Sequence, residues 1–110
     1  MLPQQAWSQR PQTASYEAES LPDEGFIHCS PDVQVLLDVA NRFYRFQPGE
    51  WLILSIDDNA LASELRWESA DGQLFPHVYG PLNTDAIVAV TRFPRDADGR
   101  FLPPHLQPHL

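Results

Sequence analysis

The chain has no lysine: all seven of its basic residues are arginine. Schiff-base chemistry and a Walker-type phosphate loop, each of which needs a lysine amine, are thereby excluded. There is one cysteine, Cys29, which permits neither an intramolecular disulfide nor a thiolate metal cluster and fits a reducing cytoplasm. Positive charge is outweighed by fifteen acidic residues, for a net charge of -8. Such a chain repels phosphate backbones and anionic bilayers, so nucleic acid is disfavoured as a partner and no membrane is expected. No apolar run approaches the ~20 residues of a membrane helix. Met1–Gln5 is too short and polar for a secretory leader, so a soluble cytoplasmic protein is expected. Glycine is sparse, five against eleven prolines, which points to ordered turns and stiff ends. No internal repeat is present, and 110 residues suffice for one domain.

What is present is organised around Gly25-Phe26-Ile27-His28-Cys29-Ser30-Pro31 and the run that follows it to Phe46. The spacing predicts a short strand, an N-cap at Ser30 with Pro31 in the first helical turn, and a helix stopped by Pro48-Gly49. Val33, Leu36, Leu37, Ala40, Phe43 and Tyr44 fall on one helical face. Strand alternation puts Phe26, His28 and Ser30 on one side and Ile27 and Cys29 on the other, with Cys29 toward the helix and poorly reactive.

Before this stretch only a short helix at Ala6–Gln9 is expected. After it, Trp51–Ile56 reads as a central strand, and Ala60–Ala62 as one helical turn after the Asp57-Asp58-Asn59 cluster. Glu64–Glu68 reads as a half-wet strand turning at Ala70-Asp71-Gly72. Phe75–Tyr79 reads as an edge strand because of Pro76, and Ala86–Phe93 as the strand richest in β-branched residues. The fold class expected is α+β, a mainly antiparallel sheet with one long helix.

Six residues stand out as candidates. His28 and Ser30 share a strand face and can hydrogen-bond a ribose, although a cap at Ser30 would occupy its oxygen. Arg66 and Glu68 share a second face with Glu64. His77 and Tyr79 repeat the polar pairing between two prolines, with Gly80 allowing close approach of a ligand. The two glutamates stand roughly 13 Å apart along the strand, beyond the ~5–9.5 Å of glycosidase carboxylates, so that chemistry is dropped. No metal is expected: His28 and His77 come from distant segments, Cys29 faces away from His28, and the tail histidines His105 and His109 lie among prolines.

Four motifs occur in order: Phe26-Ile27-His28-Cys29-Ser30, Ala40-Asn41-Arg42-Phe43-Tyr44, Arg66-Trp67-Glu68 and Phe75-Pro76-His77-Val78-Tyr79-Gly80-Pro81-Leu82. Together they resemble the domain-of-unknown-function family 952, which is similar to the ADP-ribosyltransferase fold and most like its RNA 2'-phosphotransferase branch. The resemblance implies a split antiparallel sheet enclosing an NAD cleft, and it places His28 in that cleft with Ser30 beside it.

The expected function is binding of NAD, with cleavage or transfer at its nicotinamide-ribose bond. His28, Glu68 and His77 would be catalytic, and His28, Ser30, Arg66 and Tyr79 would hold the nucleotide, Arg66 at its pyrophosphate. The alternative is a non-catalytic nucleotide-binding or interaction module. The family's opening strand and its histidine have no counterpart in Met1–Ala6. Residues 1–6 are therefore expected to be a truncated or frayed start, leaving an edge that a homodimer would cover. Residues 101–110 are expected to be a frayed tail.

Overall fold

The computed structural model describes residues 1–11, 15–18 and 20–105. In chain order they form β1 (Leu2–Pro3), α1 (Gln4–Ser8), β2 (Ser15–Tyr16), α2 (Ser20–Glu24), β3 (Ile27–His28), α3 (Val33–Phe43), β4 (Trp51–Ile56), β5 (Glu64–Ala70), β6 (Gln73–Tyr79), β7 (Leu82–Asn83) and β8 (Ile87–Arg92). Single 3-10 turns lie at Asp58–Ala60 and Thr84–Ala86. The strands pair antiparallel in two three-stranded sheets, β1-β4-β8 and β3-β6-β5, and in a β2-β7 pair. This is a small α+β architecture with antiparallel sheets and few helices.

The long helix begins later than its sequence suggested. Asp32, not Ser30, is the N-cap: its carboxylate accepts from the Val35 N–H at 2.8 Å, which leaves Pro31 outside the helix. Ser30 is thereby released from capping. The helix also ends at Phe43 rather than Phe46. The chain just beyond it is turned by Arg95, whose guanidinium donates to the carbonyls of Arg45, Gln47 and Gly49 and to that of Gly99. Leu36, Leu37, Ala40 and Tyr44 pack inward, whereas Val33 and Phe43, at the two ends of the stripe, stay exposed.

The core has two centres. Around β4, Trp51, Ile53, Phe93 and Phe101 close over Ala40 of α3. Around β6, Ile27, Val78 and Leu82 pack together, with Leu54, Leu65 and Leu21 against them. Burying each large apolar side chain contributes about 1.5–3 kcal/mol. Two expectations about the ends are corrected by this packing. Leu2 is buried in β1 opposite Leu52, so the start is not frayed. Phe101 is buried between Trp51 and Phe93, and Asn41 bonds both its N–H and its carbonyl, so the tail is anchored at its first residue. Residues 106–110 of the expected tail, His109 among them, lie outside the described residues.

The second sheet positions the candidate residues. Asp71-Gly72, both at positive φ (50° and 81°), form the two-residue hairpin turn between β5 and β6. β6 is central in its sheet, not an edge as Pro76 suggested. Proline is tolerated there because its carbonyl takes the Cys29 N–H at 3.1 Å, just where β3 ends, and its missing N–H falls at the limit of the ladder.

Candidate functional site

Antiparallel register sets which side chains meet. Arg66 lies opposite His77, and His77 opposite His28, while Leu65, Val78 and Ile27 form the neighbouring row. Because successive side chains alternate, the first row and the second point to opposite faces of the sheet. Glu64, Arg66, Glu68, His77, Tyr79 and His28 therefore share one face, here called outer, and Leu65, Val78 and Ile27 share the inner one.

On the outer face Glu68 is the hub. Its Oε1 accepts a hydrogen bond from the Tyr79 hydroxyl and pairs with His77 Nδ1 at 2.8 Å. The Tyr79 hydroxyl, then the His77 ring, hold the Glu68 carboxyl below the usual carboxylate range. An ionised carboxylate only accepts, so Nδ1 of His77 carries the proton. The same bond, donated to Glu68, pushes the Tyr79 phenol up. His77 is buried, and Phe26 lies over its ring at 4.2 Å in a stacked arrangement. Arg66 rests its guanidinium 4.2 Å above the Tyr79 ring and grips both oxygens of Glu64 at 3.0 Å. That bidentate bond raises Arg66 and lowers Glu64. The His28 ring stands 5.3 Å from that of His77, and its Nε2 pairs with Glu24 of α2 at 2.6 Å.

The inner face meets β4 across a cavity of about 930 Å³. Its wall draws on both three-stranded sheets, with Ile53, Leu54 and Ser55 from β4 and Leu65, Trp67 and Val78 from the other. Four aromatic residues, Tyr16, Tyr44, Trp51 and Trp67, contribute to it. His28 and Ser30 also line it; Arg66, Glu68, His77 and Tyr79 do not.

The six candidates thus fall into two places. His28 belongs to both, Ser30 to the cavity, and the other four to the outer network. Arg66, expected at a pyrophosphate, is instead committed to Glu64 outside the cavity. Gly80, expected to admit a ligand, is approached by Ser63, whose Oγ would lie 2.5 Å from an added Cβ. Cys29, expected to face the helix, packs with the Ile27–Val78 group and lines the cavity, and burial pushes its thiol up. Glu24, Phe26 and the cavity aromatics were not anticipated as site residues. The spacing of Glu24 and His28 carries a signal for the first of them, a carboxylate four residues before an imidazole. Among the described residues no three histidine, cysteine or acidic side chains are grouped to hold a metal ion, and no helix is long and apolar enough to cross a membrane.

Residues 1–90 match the family described as a protein of unknown function, DUF952. The chain belongs to that family. Its fold is similar to the crystal structure of protein CC0527 from Caulobacter crescentus, at 27% identity and a TM-score of 0.78, over 92% of this chain and 89% of that one. A double mutant of the same Caulobacter protein matches at 26% identity and a TM-score of 0.77, with the same shares covered. No curated protein matches.

Proposed function

We propose that this member of the DUF952 family is a small-molecule-binding module. Its inter-sheet cavity takes the nicotinamide-ribose portion of NAD or of a related nucleoside, and it carries out no transfer. The observation that carries this reading is the cavity of about 930 Å³, with aromatic walls and with His28 and Ser30 on it. That volume lies within the range of roughly 300–1,000 Å³ usual for ligand pockets. Ser30, free of capping, supplies a hydroxyl that a ribose can bond, and His28, paired with Glu24, borders the cavity beside it. The absence of transfer is supported by the outer network: Glu68 and His77 bond each other beneath Phe26, on the face away from the cavity.

The His28–Glu24 pair favours a second reading, since a carboxylate beside an imidazole on a cavity wall can serve as a base. One sample separates the two. Thermal shift with NAD, ADP-ribose and nicotinamide should give a stabilisation of about 2.7 kcal/mol at a hundred times the dissociation constant of whichever binds. Binding without nicotinamide release from NAD is the expected result. Release that His28→Ala abolishes would establish the second reading, and no shift with any nicotinamide compound would overturn both.

A further inference from the structure

His28 apart, every charged side chain that lines the cavity is acidic; Met1 lines it too, and burial lowers the pKa of its amino terminus. Asp23 and Glu24 at the end of α2, Asp32 at the cap of α3, and Asp58 in the 3-10 turn after β4 all line it. None of the seven arginines does. Each arginine with a described partner is engaged elsewhere: Arg10 on Trp7, Arg42 near Asp71, Arg45 over Phe46, Arg66 on Glu64, Arg92 on Glu50, and Arg95 on backbone carbonyls. Asp23 and Asp58 are exposed, and among the described residues neither is in an ion pair. The Glu24 carboxylate is shared with His28, and Asp32 also serves the helix cap. Even with His28 and the Met1 amino terminus both protonated, the four carboxylates leave the lining net negative.

Two consequences follow from elementary electrostatics. A pyrophosphate brought to this cavity finds carboxylates and no guanidinium, so a phosphorylated ligand is repelled. A flat organic cation meets carboxylates and aromatic side chains in the same lining, and an aromatic ring attracts a cation placed over its face. The walls also carry many apolar side chains, Ile27, Leu36, Ile53, Leu54, Leu65 and Val78 among them, which favours a ligand whose charge is carried on a ring or capped by carbon rather than a strongly hydrated metal ion.

We propose that the ligand of the inter-sheet cavity is an organic cation of the pyridinium or quaternary-ammonium type, and that phosphorylated nucleotides are excluded from it. This rests on the binding reading above and restricts it: the nicotinamide-ribose portion would be held as the free pyridinium nucleoside rather than as the dinucleotide.

Three probes of nearly the same size separate charge from shape: 1-methylnicotinamide, a cation; nicotinamide, neutral; and nicotinate, an anion. Titration calorimetry at low ionic strength should rank them in that order, with the cation about tenfold tighter than the neutral amide, a ratio that shrinks as salt is added. In D23N/D58N the ratio should fall to about threefold or less, while Asp98→Asn, outside the cavity, leaves it unchanged. NAD should bind more weakly than nicotinamide riboside.

Equal affinity for cation and neutral amide, tighter binding of nicotinate, or NAD binding more tightly than the nucleoside would overturn the proposal while leaving the cavity a binding site. If no probe of any charge binds, the binding reading itself fails and the proposal with it. A ratio unaltered in D23N/D58N, with that variant's melting temperature intact, would show that these carboxylates do not set the preference and would also overturn it.

Discussion

On the outer face of the β3-β6-β5 sheet, Glu68, His77, Tyr79 and Phe26 satisfy one another, whereas on the inner face Ile27, Leu65 and Val78 border a cavity whose volume no described side chain fills. The first face is rich in polar groups, and those at its centre are bonded to one another. The second is poor in polar groups but has aromatic surface and room. Polar residues in alternation are therefore not themselves a sign of a binding surface. What counts is whether their donors and acceptors are already matched.

The contrast can be broken most forcefully from the inside. Val78 is almost wholly buried between the two faces' supports, and Val78→Asp places an uncompensated carboxylate there, costing about 3–5 kcal/mol. Urea denaturation should show a protein at or below the edge of folding; a variant as stable as the parent would mean that the inner wall is not the core it is described to be. On the outer face, His77→Ala leaves the Tyr79–Glu68 bond but removes a buried ring and its bond, for a loss of about 1–3 kcal/mol. Affinity for any cavity ligand should be unchanged. Intact stability with binding lost would reverse the assignment of the two faces.

Acid titration sharpens the same comparison. The Glu68 carboxyl is depressed in the folded state, first by Tyr79 and then by His77. Its contribution is therefore fully present above the unfolded value of about 4.3 and is lost as pH falls through the lower folded value. Melting temperature followed from pH 6 downward should fall more steeply in the parent than in Glu68→Gln, and matching curves would dissociate the network from acid stability. The smallest effect belongs to the exposed pair: Glu64→Gln should leave the melting temperature unchanged within error and affinity for cavity ligands untouched, because Arg66 is solvated and faces away from them.

Much of this was legible in the sequence where a pattern was long. The six-residue apolar run from Trp51 gave β4 with its observed bounds, and alternation through Glu64–Glu68 identified the strand and the face its charged residues share. The Asp71-Gly72 turn was readable because only such residues suit its backbone. Two-residue strands such as β2 and β7 were not readable, since a pair of residues has no period, and α2 was missed because its five residues span little more than one helical turn. Capping was misplaced by two residues because Ser30 and Asp32 are both good acceptors, and only the backbone decides which one reaches Val35. Six candidate residues could be singled out by residue type and alternation. Their division between the cavity and the outer network was not legible, because alternation tells which residues share a side and leaves open whether a cavity or solvent lies there.

Phe93 and Phe101, each buried to 1% exposure, lie beyond the 1–90 segment that matches the family, yet they complete the centre built on Trp51 and Ala40. Arg95, beside them, fixes the turn that ends the long helix some fifty residues earlier. On the ribosome, α3 and β4 are therefore made well before the residues that cover them, and their apolar faces must wait through synthesis of the whole intervening hairpin. Domains that fold in parts can settle as they emerge; this chain closes the centre around Trp51 only after Phe101 has been added, which makes the interval between making Trp51 and releasing Phe101 the time in which a chaperone has most to protect.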